Sequence, residues 1–152
     1  IFYMPEFGGY FLELANFEPA NAQVTPEHIA PVWYFGAFYS ILRAMTWDWF
    51  GVPAKLWGVI AMFAAVGMIF ILPWLDRSPV KSIRYKGWIS RVALALFIIA
   101  FLTLTKLGTM PPTNIVTRLA QCCTGIYFAF FLLMPIYSKL DKTKPVPTRV
   151  TK

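Results

Sequence analysis

Residues 56–75 read LWGVIAMFAAVGMIFILPWL, twenty positions without a charged side chain. A helix rises about 1.5 Å per residue, so roughly 20 mostly apolar residues cross the hydrocarbon core of a bilayer. In lipid, an open loop or a sheet edge would leave backbone N–H and C=O groups unpaired, so such a run crosses as a helix. Further along the chain, residues 119–138 form a second uncharged run of the same length, and residues 92–105 form a shorter one of fourteen. The shorter run is flanked by Arg91 and Lys106, whose stems can lie along the span while their charges reach opposite headgroup layers. Composition agrees, with 58% of 152 residues hydrophobic, 18% aromatic and 14% charged, too apolar for a soluble domain of this size. The expected fold is an all-α membrane protein with three transmembrane helices, preceded by an external loop with a short amphipathic interfacial helix.

The placement of basic residues orients this arrangement. Of fourteen Lys and Arg, five (Arg77, Lys81, Arg84, Lys86, Arg91) follow the first run and five (Lys139, Lys142, Lys144, Arg149, Lys152) follow the third. Three crossings put both segments on one side, and the excess of positive charge makes that side the cytoplasm. The segment before the first span carries Glu6, Glu13, Glu18, Glu27 and Asp48 against only Arg43 and Lys55, as suits an external face. Two juxtamembrane clusters account for the net charge of +7, so nucleic acid is not an expected partner. The chain opens without an initiator Met or a secretory signal pattern, and residues 1–4 resemble the tail of an earlier hydrophobic segment; a piece of a longer polypeptide is expected.

Three regions follow: 1–52, loop and interfacial helix; 53–140, three spans; 141–152, a cytoplasmic tail. Pro5, Gly8, Gly9, Pro19, Pro26 and Pro31 give the first region loop composition. Thr25-Pro26-Glu27 has the chemistry of a helix start, with a capping hydroxyl, a proline at the first helical position and an acid near the positive end of the dipole. Residues 32–45 can form a helix too short to span, with Phe35, Tyr39 and Leu42 on one face. Trp47 and Trp49 suit the headgroup layer.

Few residues offer chemistry. His28 is the one histidine, and bis-histidyl haem takes two imidazoles, so this chain holds no such haem alone. His28 reads either as a hydrogen-bonded loop residue or as part of a proton route. Cys122 and Cys123 are adjacent on a helix and point apart, which suits packing rather than a disulfide or a metal. Arg118 reads as an interfacial anchor. No charged or strongly polar residue lies deep in a span, against the expectation for a channel or transporter. By composition alone, the aromatic stretch around residues 25–43 is an anchoring element.

Its order of motifs says more. Asn16-Phe17-Glu18-Pro19-Ala20-Asn21, Val24-Thr25-Pro26-Glu27-His28-Ile29, Pro31-Val32-Trp33-Tyr34 and Phe38-Tyr39-Ser40-Ile41-Leu42-Arg43 closely resemble the outer quinol-oxidation loop of cytochrome b. The Pro31 quartet matches that family's PEWY signature in the PVWY form found in many proteobacterial members. Leu102-Thr103-Leu104-Thr105 with Gly108, and Leu133-Met134-Pro135, resemble its last two helices.

The resemblance implies the C-terminal part of cytochrome b in a ubiquinol:cytochrome c oxidoreductase, in which electron transfer is coupled to proton translocation. The alternative is a non-catalytic scaffold subunit of a respiratory complex. With ubiquinol as substrate, Ile29, Pro31, Val32, Trp33, Tyr34, Phe35, Tyr39 and Leu42 would line or shape the quinol pocket. Two haem b groups would be bound by the N-terminal part of cytochrome b, which lies outside this chain. Further implied partners are the Rieske iron-sulfur protein, near whose docking surface Tyr39 would lie, and a cytochrome c-type subunit, in a dimeric complex. The implied location is the bacterial inner membrane, with the loop periplasmic. Val32 stands where PEWY members carry an acid, so another proton acceptor is required. Glu27, in the same loop, is the expected one, with His28 next and water third; a role only in starting the short helix is the plainer reading of Glu27.

Overall fold

The computed structural model describes residue 3, residues 17–24 and residues 31–147. Among the described residues, the 3-10 turn Trp33–Phe35 leads into five helices: α1 (Gly36–Ala44), α2 (Ala54–Leu75), α3 (Trp88–Gly108), α4 (Asn114–Leu132) and α5 (Met134–Leu140). No strand occurs among the described residues, and α2, α3 and α4 are each long and apolar enough to cross a membrane. The expected all-α fold with three spans is the fold observed.

Two of the expected spans change their limits for local reasons. α3 runs through Arg91 and Lys106 to cover 21 residues, since charges near helix ends do not stop a helix whose stems can reach the headgroups. The third expected span, 119–138, is corrected at both ends. α4 starts at Asn114, where the Thr113 hydroxyl accepts from the Val116 N–H at 3.4 Å, and it ends at Leu132. Pro135 has no N–H to return to the carbonyl of Phe131 and its ring crowds that group. The Leu133 N–H still closes α4 on the Ala129 carbonyl at 2.9 Å, and α5 starts afresh with the proline in its first turn.

Six of the twelve buried hydrophobic residues among those described are alanines. Ala37, Ala44, Ala61, Ala65, Ala100 and Ala120 are buried, while Phe63, Phe70 and Ile115 are 67%, 75% and 73% exposed. Small residues where helices meet and large apolar ones outside are what a bundle in lipid requires, because close backbone approach drives association there. α4 packs on both α2 and α3, and α1 touches all three spans. The Tyr127 hydroxyl donates to the Ala65 carbonyl at 2.9 Å, tying α4 to α2. Phe97 of α3 stacks on Phe130 of α4 with ring centroids 4.5 Å apart.

The two basic segments meet at one end of the bundle. Lys86 pairs with Asp76, the Arg77 N–H donates to the Ser138 hydroxyl at 3.3 Å, and the Lys144 N–H donates to the Tyr85 carbonyl at 2.8 Å. Gly87 gives α3 no side-chain cap of its own. Asp141 caps it from 51 residues away, accepting from the Ser90 N–H at 3.1 Å and from the Ser90 hydroxyl. Burial pushes the Asp141 carboxyl up, but the bonds from the Ser90 hydroxyl and from nearby backbone N–H groups outweigh it and hold it below its ordinary value.

Candidate functional site

The other end of the bundle is organised by α1. Its buried residues, Gly36, Ala37, Ser40, Ile41 and Ala44, follow the spacing of one helical face. They sit against the start of α2, the end of α3 and the start of α4. The segment expected to lie at the interface is seated among the ends of all three spans.

That seat requires glycine in three places, the first being Gly36, where a Cβ would come within 2.8 Å of the Thr105 carbonyl oxygen. A Cβ on Gly108 would overlap the Gly36 backbone, and a Cβ on Gly58 would come within 2.5 Å of the Leu42 carbonyl oxygen. In all three cases the obstacle is backbone, which cannot rotate aside. Gly108→Val is expected to cost about 1–3 kcal/mol through overpacking and to reduce the assembled protein several-fold, measured by quantitative immunoblotting of membranes. Gly67→Val, with open space around it, is expected to leave the level unchanged.

Polar contacts complete the seat. The Arg43 guanidinium donates to the Met110 carbonyl at 3.0 Å, and its carbon lies 5.4 Å from the centre of the Tyr39 ring. The Gln121 amide, from α4, donates to the Ala44 carbonyl at 3.0 Å and to the Thr46 hydroxyl at 3.1 Å. The chain then reaches α2 through a turn at Phe50-Gly51, both with positive φ, closed by paired backbone bonds between Trp49 and Val52. The Asp48 carboxylate accepts from the first N–H of α2 at 2.6 Å, a charge suited to that end of the helix dipole.

Of the expected site residues, Glu27, His28 and Ile29 lie outside the described residues. Pro31 is half-buried at the entry to the turn. Val32, Trp33, Tyr34 and Phe35 are exposed, with the Tyr34 and Phe35 rings 4.9 Å apart. At 100° per residue, Phe35, Tyr39 and Leu42 fall opposite the buried face of α1. Phe35 is 52% exposed, and Tyr39 and Leu42 are half-buried. The three share one side of the helix, which is open in part: Phe35 is exposed there, while the Leu42 Cγ lies 3.5 Å from where a Cβ on Gly58 would stand.

Gln121 is the residue that sequence reasoning missed. It lies in the eighth position of α4, so the statement that the spans hold no strongly polar residue needs correcting. The available signal was a carboxamide inside an apolar run, which must find a partner. Among the described residues no group of His, Cys, Asp and Glu is placed to hold a metal ion. With one histidine in the sequence, the donor set does not fit bis-histidyl haem. A cavity of about 160 Å³ lies at the opposite end, lined by Asp76, Lys86, Ser90 and Tyr137 among apolar residues, and has no part in the α1 site.

Comparison with known proteins gives this geometry its context. Residues 19–128 match the family described as cytochrome b (C-terminal)/b6/petD. A cytochrome b of Allochromatium vinosum is 56% identical over 99% of this chain, which covers 36% of that relative. A cytochrome b of Rhodospirillum rubrum is 40% identical over 99% of the chain, which covers 35% of it. A solved structure described as a hyperthermophilic respiratory Complex III superposes with a TM-score of 0.76 at 39% identity, over 91% of this chain and 32% of that one. The chain thus spans about a third of the length of these relatives. An α1 seated across three spans, the run of motifs from Asn16 to Arg43 and a family match over most of the sequence lead to one conclusion: the chain belongs to the C-terminal cytochrome b family.

Proposed function

We propose that this chain forms the outer quinol-oxidation site of a ubiquinol:cytochrome c oxidoreductase, with the open face of α1 as one wall of the pocket. The observation that carries the reading is the opposition of the two faces of α1. One face is locked against three helices by glycine contacts and hydrogen bonds, and the other presents Phe35, Tyr39 and Leu42 at the end of the bundle. A lipid-soluble quinol needs a headgroup site at interface depth with apolar aromatic walls and few polar groups. A rigid helix holds such a wall in register, as orientation of a reactant requires.

Oxidation of the quinol to quinone releases two protons and two electrons. The electrons pass to acceptors outside this chain, one to the iron-sulfur protein and one toward haem b, which accepts an electron when bound by the N-terminal part. The chain's own residues do the remaining work. Phe35, Tyr39 and Leu42 hold the ring, and Pro31 to Tyr34 shape the entrance together with Ile29. Glu27 takes a proton, because Val32 cannot. Photolabelling of the complete complex with an azido-ubiquinone tests the site. Label in the peptide containing residues 31–43, displaced by excess ubiquinol, is the expected result; label confined to other peptides contradicts the reading.

The same proposal places α1 on the periplasmic side and the basic segments in the cytoplasm, supported by the ten of fourteen Lys and Arg that follow the first and third spans in the sequence. An introduced cysteine, Ser82→Cys, is expected to react with an impermeant maleimide only after the inner membrane is opened. Labelling from the periplasm of intact cells would reverse the orientation.

A further inference from the structure

We infer that Gln121 is a positioning residue for quinol binding: from α4 it fixes the C-terminal end of α1 and so keeps the Phe35, Tyr39 and Leu42 face in its binding orientation. This rests on the reading of that face as a wall of the quinol pocket. Four carbonyls at the end of a helix lack an intrahelical partner, and that of Ala44, the last residue of α1, receives the Gln121 amide at 3.0 Å. The backbone leaves the helix at once, with Met45 extended at ψ 106°. The same amide holds the Thr46 hydroxyl at 3.1 Å, so one side chain fastens both sides of the helix end, to residues 77 and 75 positions away.

The placement explains an otherwise unfavourable choice. A carboxamide in a spanning helix must be paired, because lipid offers it nothing. Here it lies beside Ala120, 3% exposed, which packs in the core with Ala44, 1% exposed. α1 has nine residues, too few to hold itself together in isolation, so its end depends on such contacts. Leu42 is two residues from the fastened carbonyl, and Tyr39 little more than one turn from it. Gln121 itself lies behind the helix and takes no part in the open face. Losing its two bonds lowers the fraction of molecules in the binding arrangement, and apparent affinity falls by that fraction while the chemistry in the bound state continues.

The test uses the complete complex carrying Gln121→Met, which keeps the length of the side chain and removes its donors, together with Thr46→Val and the double variant. The readouts are kcat and KM for a short-tailed ubiquinol, and haem content. The expected result is a KM raised roughly three- to tenfold in Gln121→Met, the scale of one or two lost hydrogen bonds, with kcat and haem content close to the parent. Thr46→Val should raise KM less, and adding it to Gln121→Met should change nothing further, since the partner is already gone. An unchanged KM in assembled Gln121→Met complex overturns the inference, as does a loss of haem and kcat with KM unmoved, the pattern of a merely structural residue. If Gln121→Met does not assemble, Thr46→Val decides by the same criterion. A parent complex without quinol oxidation would instead overturn the proposed function, and the inference with it.

Discussion

Tyr39→Ala in the complete complex is expected to lower kcat/KM for ubiquinol by roughly ten- to hundredfold, the scale of about 1.5–3 kcal/mol for the burial of one large side chain. Assembly should change little. Tyr39 lies on the face of α1 opposite Gly36, Ala37, Ser40, Ile41 and Ala44, so its truncation leaves the seat against α2, α3 and α4 intact. Arg43 loses the ring 5.4 Å away but keeps the Met110 carbonyl. Haem content measured beside turnover separates the two roles: parent-like haem with slow turnover fits a pocket wall, and equal loss of both makes Tyr39 structural. Tyr39→Phe keeps the ring and is expected to retain most of the activity; a loss as large as that of Tyr39→Ala would assign the role to the hydroxyl.

Glu27→Gln is expected to slow oxidation about 10²-fold or more, the contribution of a placed general base. Val32 removes the acid that PEWY members carry, and a valine neither accepts a proton nor hydrogen-bonds a quinol hydroxyl. Glu27 is a carboxylate of the same loop, five residues before Val32. A base works only when deprotonated, so turnover of the parent should fall as pH drops through the Glu27 pKa, and that acid limb should vanish in the glutamine variant. Glutamine preserves shape and hydrogen bonding, so assembly should be normal. If Glu27 only favours the start of a short helix through the dipole, an effect of typically 0.3–1 kcal/mol, rate and pH profile would stay as in the parent. A slow variant restored by Val32→Glu would show that the two positions exchange one task.

The parts of the fold that were legible in the sequence are those decided by solvent. The uncharged run 56–75 became α2, Ala54–Leu75, because lipid leaves the backbone no alternative to a helix. The break after α4 was also written in the chain, as Pro135, but a count of uncharged residues passes over a proline that a count of N–H groups registers. The seat of α1 was not legible. Gly36, Gly58 and Gly108 stand far apart in sequence, and only tertiary structure shows that each meets another helix's backbone. Phe35, Tyr39 and Leu42 were grouped correctly since helical spacing alone decides that, whereas the depth of the helix depended on the spans around it. Gln121 was visible as a letter, but its meaning came from the Ala44 carbonyl, 77 residues away.

A cryo-EM structure of the complete complex with a tight-binding ubiquinol analogue would show whether the Phe35, Tyr39 and Leu42 side of α1 is a wall of the quinol-oxidation pocket. The expected result is the analogue's ring in van der Waals contact with Phe35, Tyr39 and Leu42, with Gln121 still bonded to the end of α1 behind them. A headgroup bound elsewhere, with this face covered by protein or lipid, would contradict it.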